Sequence, residues 1–283
     1  MTTELIRQLL EAGVHFGHKT SNWNPRMAKF IFGERANIHV IDLEKTAECL
    51  NKAIDFLKNI SSQGEVVLFV GTKKQAQEII KSEAERCSSP YVNSRWIGGL
   101  LTNFSCIKRS IDKLKELEEM REKGVFGNLS KKESSRLNRE LERLLKNFSG
   151  VKEMQQLPKA LFIIDPKKER TVICEAKRLS IPIVSLIDTN CDPDAIDFPI
   201  PGNDDAIKSI KIIAKIIADS ILEGREVFLS YLKEEPKIEV GASVTPIEKL
   251  EVQPEVIEEI VEKKEETPPT PKTKQKRPKE KGE

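Results

Sequence analysis

The sequence has no long apolar run, and its cysteines are few and scattered. No stretch approaches the ~18–20 apolar residues that a bilayer span needs, which argues against a membrane protein. The N-terminal stretch MTTELIRQLLEAG lacks the apolar core and the small-residue cleavage site of a secretory signal. The five cysteines are an odd number at wide spacings, which disfavours a disulfide framework, and the lack of a C-x-x-C pair disfavours a zinc ribbon. We therefore expect reduced thiols in a cytosolic setting.

The motifs of common nucleotide-binding and hydrolytic enzymes are also missing. Neither G-x-x-x-x-G-K-[ST] nor G-x-G-x-x-G occurs, which excludes a Walker loop and a dinucleotide-binding loop. No serine lies in a nucleophile elbow, and no cysteine has a histidine nearby in the sequence. The residues thus predict no catalytic centre.

The charge is nearly balanced, with 47 Lys and Arg against 45 Asp and Glu. Residues 236–283 hold seven of the 15 prolines, eleven acidic and ten basic groups, and no aromatic residue. Such a segment cannot bury enough apolar surface to fold, so we predict a disordered, solvated tail; its Lys-rich end could also touch polyanions. Residues 1–235 form the predicted domain and carry 37 basic and 34 acidic groups. Any nucleic-acid contact must therefore come from local clusters.

Short apolar runs alternate with helical patterns in residues 1–235. Unbroken runs of four or five apolar residues are typical of strands buried on both faces of a parallel sheet. The runs are IHVI (38–41), VVLFV (66–70), ALFII (160–164) and IVSLI (183–187), with a shorter strand expected near 90–93. A Pro-rich loop is predicted after the last run, followed by a helix over 204–222 that stops at Gly224. The pattern predicts a doubly wound α/β domain.

Residues 104–156 interrupt this alternation. They contain no strand pattern, only two long helical patterns with narrow apolar stripes. Ser130 and Glu133 have the spacing of a capping box at the start of the second helix. We predict an inserted antiparallel helical hairpin of the coiled-coil type that protrudes from the domain. A solvated charged surface and an RNA contact are equally compatible with its polar faces.

Two places in the sequence could hold a ligand. Gly71 ends an apolar run and precedes two lysines, so it is the natural position for a phosphate, or merely a tight strand exit. His18 could bind a divalent metal if carboxylates fold back toward it. The candidates are Asp188, Asp204 and Asp205.

Two further segments combine cations with aromatic residues. They are residues 16–29 and Arg95–Phe104, and each contains one of the two tryptophans. Cations can pair with RNA phosphates and aromatic rings can stack on exposed bases, whereas both tryptophans could equally fill the core. The core position is the favoured interpretation for the tryptophans. The cations interpreted as RNA contacts are Arg26, Lys29 and Arg95.

Several motifs in the same order closely resemble those of the small-subunit ribosomal protein S2 family of bacteria and organelles. They are GVHFGH (13–18), WNPRM (23–27), RWIGGLLTNF (95–104), the strand ending in Asp165-Pro166, and DTNCDPDAIDFPIPGNDDAIKSI (188–210). The resemblance extends over about residues 3–230 and includes the hairpin.

The resemblance implies a flavodoxin-like parallel sheet with a protruding coiled-coil hairpin. It also implies a non-enzymatic role in the small ribosomal subunit, in the cytoplasm or in an organelle's stroma or matrix. The implied partners are small-subunit ribosomal RNA and neighbouring proteins including ribosomal protein S1, with no membrane and no small-molecule substrate. The implied RNA-facing or surface-shaping residues are Trp23, Asn24, Arg26, Lys29, Lys73, Arg95, Trp96, Lys108 and Arg109.

No cofactor is required by this resemblance, although a zinc or magnesium ion at His18, Asp188, Asp204 and Asp205 agrees with it. Two other interpretations stay open. One is an α/β nucleotide-binding enzyme or regulator that uses the strand ends at Gly71 and Asp188. The other is a scaffold that binds proteins only.

Overall fold

The computed structural model describes residues 2–234, so the predicted tail over 236–283 lies outside the described residues. The helices are α1 (Thr2–Glu11), α2 (Leu43–Ser62), α3 (Gln77–Arg86), α4 (Phe104–Glu122), α5 (Lys131–Phe148), α6 (Arg170–Arg178) and α7 (Ile207–Glu234). The strands are β1 (Phe16–Lys19), β2 (Ile31–Arg35), β3 (Ile38–Ile41), β4 (Val67–Val70), β5 (Tyr91–Val92), β6 (Ala160–Ile164), β7 (Ile183–Ile187) and β8 (Phe198–Pro201). None of the helices in the described part is long and apolar enough to cross a membrane.

A parallel sheet of five strands forms the centre of the domain, in the order β5-β4-β6-β7-β8. Counted within the sheet this is the order 2-1-3-4-5 of doubly wound α/β folds. Strands β4, β6 and β7 are buried at every position, as their unbroken apolar runs predict. The predicted α/β class with a parallel sheet is therefore confirmed.

Alternate residues of β4 serve two separate cores. Val67 and Phe69 pack with α2 and α7 on one face of the sheet, while Leu68 and Val70 pack with the hairpin helices and α6 on the other. This follows from the two-residue period of a strand, which turns successive side chains to opposite faces. Helices thus cover both faces of the sheet.

The run at 38–41 was wrongly assigned to the parallel sheet. It forms β3, the middle strand of a separate antiparallel sheet with the order β1-β3-β2. A two-residue turn joins β2 to β3, and both turn residues, Ala36 and Asn37, have positive φ (52° and 60°). Such a turn matches the twist of an antiparallel hairpin. Only alternate residues of β3 are buried, which distinguishes it from the parallel strands.

The last sheet strand was missed by the sequence analysis. Residues Phe198–Pro201 form β8 at the sheet edge, where a loop was predicted. Two prolines suggested a loop, but an edge strand tolerates proline because one of its sides needs no ladder hydrogen bond.

The final helix continues past its predicted end. Gly224 lies inside α7 and does not terminate it. A Cβ atom at this position would lie 2.6 Å from the carbonyl oxygen of Lys58, because α7 crosses α2 closely there. The glycine is therefore required by helix packing and not by a helix end.

The two helices predicted for 104–156 are α4 and α5, and their antiparallel coiled-coil packing stays a prediction. Ser130 and Glu133 form the predicted capping box at the start of α5. An ion pair of 2.6 Å joins Lys152 Nζ to Glu118, and Lys113 pairs with Glu140. The buried residues between the helices are Ile107, Ile111, Leu114, Leu117, Leu141, Leu144 and Phe148.

Candidate functional site

The four residues predicted to hold a metal converge at the carboxyl ends of the sheet strands. Asp188 follows β7 directly, and Asp204 and Asp205 follow β8. His18 on β1 approaches them, with Nδ1 3.0 Å from Asp188 and Nε2 3.5 Å from Asp205. We call these four residues the acidic cluster. The topology assembles it from three segments that are distant in sequence.

The motif around His18 is shaped by Thr189. The Thr189 hydroxyl accepts the His18 backbone N–H at 2.9 Å, and its carbonyl accepts the Asn24 backbone N–H at 2.8 Å. A Cβ atom at Gly17 would lie 2.6 Å from the Thr189 side chain. Glycine is therefore needed at position 17 so that β1 can pack against Thr189, just after the end of β7.

Burial and mutual repulsion make the acidic cluster electrostatically unusual. Burial, followed by the charge of Asp188, raises the pKa of Asp204 to about 7. The hydrogen bond between His18 and Asp188 raises the pKa of His18, although burial opposes this. The second carboxylate oxygen of Asp204, Oδ2, is buried and has no hydrogen-bond partner in the part of the chain that the structure describes. A bound cation could offset the repulsion between Asp188 and Asp204 and could also give Oδ2 of Asp204 a partner.

The donor atoms fit a divalent cation. One ligand atom each from His18, Asp188 and Asp204 lies within 4.8 Å of the others. Imidazole nitrogen and carboxylate oxygen are zinc ligands, and the unpartnered oxygen of Asp204 is free to coordinate. A second group shares Asp204 and adds Asp165 and Cys191. Burial raises the pKa of Cys191 to about 12, which favours its protonated thiol and makes the first group the better site.

The Lys73 side chain points into the acidic cluster. Its Nζ lies 2.8 Å from Asp204, 2.5 Å from Asp205 and 3.9 Å from Asp165. Burial opposes its charge, but the hydrogen bonds to Asp204 and Asp205 together outweigh this and raise its pKa. Its side chain is only 15 % exposed. Lys73 was expected to be RNA-facing, whereas its geometry makes it the counterion of the buried carboxylates.

The strand exit at Gly71 is occupied by contacts within the protein. The Gly71 N–H donates to the Val92 carbonyl at 3.0 Å and continues the sheet. Thr72 donates its hydroxyl to buried Glu169, and Lys168 Nζ donates to the Thr72 carbonyl at 2.9 Å. A cleft of about 720 Å³ lies instead beside the starts of β4 and β5. Ligands of such sheets bind at the carboxyl ends of the strands, which is the opposite end from this cleft, so nothing here favours the nucleotide-binding alternative.

The first cationic loop is built on the 3₁₀ helix Pro25–Phe30. The Asn24 side chain caps this helix by accepting the Arg26 N–H at 3.1 Å. The buried side chains of Met27 and Phe30 anchor the helix to the domain. The two cations are exposed, but Arg26 lies 2.6 Å from Asp192, and Lys29 lies 3.9 Å from Asp194. Trp23 is 39 % exposed and its ring lies 5.0 Å from the His39 ring. The loop offers Trp23 and two partly neutralised cations to a partner.

The second cationic loop, Arg95–Thr102, is held by one buried carboxylate that the sequence analysis missed. Trp96 is only 8 % exposed, and its indole nitrogen donates to Glu175 at 3.0 Å. Glu175 also accepts the backbone N–H groups of Gly99 at 2.8 Å, Leu101 at 3.1 Å and Thr102 at 3.2 Å. Trp96 therefore shapes the surface from inside. A charged residue on the apolar stripe of α6, between Val172 and Ala176, was the signal.

Three predicted cations are exposed beside this loop. Arg95 precedes Trp96, and Lys108 and Arg109 lie in the first turns of α4. Within residues 2–234, no carboxylate forms an ion pair with any of the three. They are the most available of the predicted RNA-facing charges.

Comparison with known proteins gives one consistent result. Residues 9–224 match the family model described as "Ribosomal protein S2". The curated "Small ribosomal subunit protein uS2" of Coprothermobacter proteolyticus is 57% identical over 226 residues, which cover 80% of this chain and 84% of that protein.

Proposed function

The chain belongs to the ribosomal protein S2 family, and from this membership we propose how it contacts the rest of the ribosome. As a family member it is a structural constituent of the small ribosomal subunit, which is cytoplasmic in bacteria, and it is not an enzyme. We propose that it binds small-subunit ribosomal RNA through its two cationic loops and the coiled-coil hairpin.

The observation that carries this proposal is the set of exposed cations at Arg95, Lys108 and Arg109, which form no ion pair with any carboxylate of residues 2–234. The loop that contains Arg95 and precedes Lys108 and Arg109 is held by the hydrogen bonds of Glu175, so ordering it on binding costs little conformational entropy. Cations that replace condensed counterions on phosphates contribute most of the affinity of such contacts. A preformed positive surface at the base of the hairpin is what a folded RNA requires.

The loop with Arg26 and Lys29 contributes differently. Its cations are already paired with Asp192 and Asp194, so an RNA phosphate must replace exposed carboxylates. Exposed ion pairs are worth only ~0–1 kcal/mol, which makes this exchange inexpensive. The partly exposed ring of Trp23 could then stack on an unpaired base.

We also propose that a divalent metal binds the acidic cluster. His18, Asp188 and Asp204 would supply the ligands, and zinc suits the nitrogen and oxygen donors. Bound there, a metal would neutralise the buried carboxylates and hold β1 against the strand ends. Lys73 would remain paired with Oδ1 of Asp204 as a second counterion.

Docking of ribosomal protein S1 is proposed from the family resemblance alone. Subunits that lack this chain are expected to retain less S1 after salt washing than subunits that contain it. Equal retention would argue that S1 docks elsewhere.

Sedimentation tests the RNA-binding proposal directly. A tagged chain is expected to move with small subunits in a sucrose gradient and to shift to lighter fractions after ribonuclease treatment. Sedimentation that ribonuclease leaves unchanged would favour a scaffold that binds proteins only.

A further inference from the structure

Helix α5 carries a row of five basic residues at alternating spacings of four and three. Residues at these spacings lie on one face of an α-helix, about 5–6 Å apart. The row consists of Lys132, Arg136, Arg139, Arg143 and Lys146, and all five are exposed. We call these residues the α5 cation stripe. The proposed function places an RNA contact on the hairpin but assigns it to none of these five residues.

The stripe faces away from the interior of the hairpin. At about 100° per residue, its members centre roughly 150° around the helix from buried Leu141 and Leu144. It spans 14 residues between Lys132 and Lys146, or about 21 Å at 1.5 Å per residue. Its charges therefore point outward along most of α5.

The acidic residues of the described segments form no ion pair with these charges, although Glu140 lies close enough to Arg136 and Arg143 to interact with them. Within residues 2–234, no carboxylate forms an ion pair with a member of the stripe. Of the three glutamates in α5, Glu133 caps the helix at Ser130 and Glu140 pairs with Lys113. The hydrogen bond from Lys113 lowers the pKa of Glu140, and burial only partly opposes it. A shallow cleft of about 450 Å³ between Arg136, Arg139, Arg143 and Glu140 marks the densest part of the stripe.

We propose that the α5 cation stripe binds the phosphate backbone of a ribosomal RNA helix, separately from the loops at Arg26 and Arg95. This inference rests on the proposed RNA-binding function. Evenly spaced cations match a polyanion with evenly spaced charges, and three arginines can each bind phosphate oxygens through two parallel hydrogen bonds. The contact would position the hairpin without reading the RNA sequence.

An acidic protein is the less suitable partner. Protein interfaces are usually centred on buried aromatic or large apolar anchors. The large apolar side chains of α5 are buried or half-buried, and none is exposed. Because a purely cationic row offers no anchor, it favours RNA.

A charge-neutralising variant tests the stripe. The probe is a transcript of the small-subunit ribosomal RNA, and binding is measured across a series of salt concentrations. For the triple variant Arg136→Gln, Arg139→Gln, Arg143→Gln we expect the slope of log affinity against log salt to fall by about two to three, since each phosphate contact contributes ~0.7–0.9. The dissociation constant at low salt should rise at least about tenfold, which three lost phosphate contacts readily produce.

The matched control removes three cations from α4 and its C-cap. Lys115→Gln, Arg121→Gln, Lys123→Gln changes the net charge equally, but these residues alternate with glutamates. We expect its salt slope to change by less than about one. Circular dichroism should show both triple variants folded, because every substituted residue is exposed.

The remaining outcomes separate this inference from the proposed function. An unchanged slope in the stripe variant, with binding lost in an Arg26 and Arg95 variant, would overturn the stripe but leave RNA binding intact. Failure of the unaltered protein to bind the transcript would overturn both. If the stripe variant lost binding to labelled polyglutamate but not to the transcript, an acidic protein would be the partner and the inference would be wrong.

Discussion

The indole nitrogen of Trp96 donates a hydrogen bond of 3.0 Å to Glu175, and both side chains are buried. The same carboxylate accepts three backbone N–H groups and the hydroxyl of Thr102. Burial opposes the charge of Glu175, but these donors outweigh it and lower the pKa of the carboxyl. One carboxylate on α6 thus holds the conformation of the loop that presents Arg95.

Replacing this carboxylate should destabilise the fold. Glu175→Gln keeps the shape but exchanges one acceptor oxygen for an NH₂ group that faces backbone donors. We expect a loss of about 2–3 kcal/mol in the free energy of unfolding, measured in urea, as for hydrogen bonds to charged groups. The control Glu142→Gln removes an exposed glutamate of α5 and should cost less than about 0.5 kcal/mol. Equal costs would contradict the assigned role.

The same pair predicts a pH dependence. The folded pKa of Glu175 lies below the ordinary value of 4.5, so its stabilisation is present above that value and is lost as the pH falls through the folded pKa. The stability difference between the unaltered protein and Glu175→Gln should therefore shrink on the acid side of pH 4.5. Urea titrations at several pH values measure this difference. A stability difference that grew as the pH fell would show that the pKa of Glu175 is raised and not lowered in the folded protein.

Charge reversal of Arg26 and Arg95 together should impair assembly. Both side chains are exposed, so circular dichroism should show an intact fold, whereas reversed charges repel phosphates. The amount of the tagged double variant in small-subunit fractions measures this. We expect incorporation to be at least about tenfold lower, because each reversed charge replaces an attraction to phosphate by a repulsion. Lys52→Glu with Lys81→Glu reverses two exposed lysines of α2 and α3 as the control. Normal incorporation of the Arg26 and Arg95 variant would show that these loops are not contacts.

Zinc should stabilise the protein through Asp204. A ligand that binds only the folded state adds about 2.7 kcal/mol at a hundredfold excess over its dissociation constant, so the melting temperature should rise with zinc. Asp204→Asn should abolish the rise, since it replaces the charged carboxylate, whose Oδ2 has no hydrogen-bond partner within residues 2–234, by a neutral amide. Asp194→Asn, an exposed carboxylate outside the cluster, should leave the rise intact. The same zinc response in both variants would exclude the site.

Gly224 should not tolerate alanine despite its helical position. Alanine favours a helix over glycine by about 1 kcal/mol, but its Cβ would lie 2.6 Å from the Lys58 carbonyl. Overpacking against backbone costs about 1–3 kcal/mol, so we expect a net loss in urea unfolding. Gly98→Ala, where the added Cβ meets nothing within 4 Å, is the comparison. A gain at Gly224 would mean that α7 and α2 separate easily.

Local patterns predicted those elements whose structure depends on neighbouring residues. The buried runs of β4, β6 and β7 were identified from their lack of alternation, and the capping box at Ser130 from its spacing. The errors lie where another segment decides the outcome. β3 joined a different sheet because a tight turn pairs it with β2, and β8 gained strand structure only by pairing with β7.

The candidate site divides in the same way. Sequence patterns named His18, Asp188, Asp204 and Asp205, and the parallel sheet brought them to one edge because the strands end there. The sequence patterns could not reveal that Lys73 is the counterion of this cluster. Nor could they show that Glu175 holds the loop of Trp96 from 79 residues away in sequence.

The amino-acid sequence alone determined the buried strands β4, β6 and β7, the start of α5 at its capping box and the family that the protein resembles, because these depend on periodicity, spacing and motif order. The tertiary structure alone decided which charges are exposed and which are neutralised inside the protein. The reason is that a charge's state depends on the distance and burial of its partners, and those partners come from segments that only folding brings together.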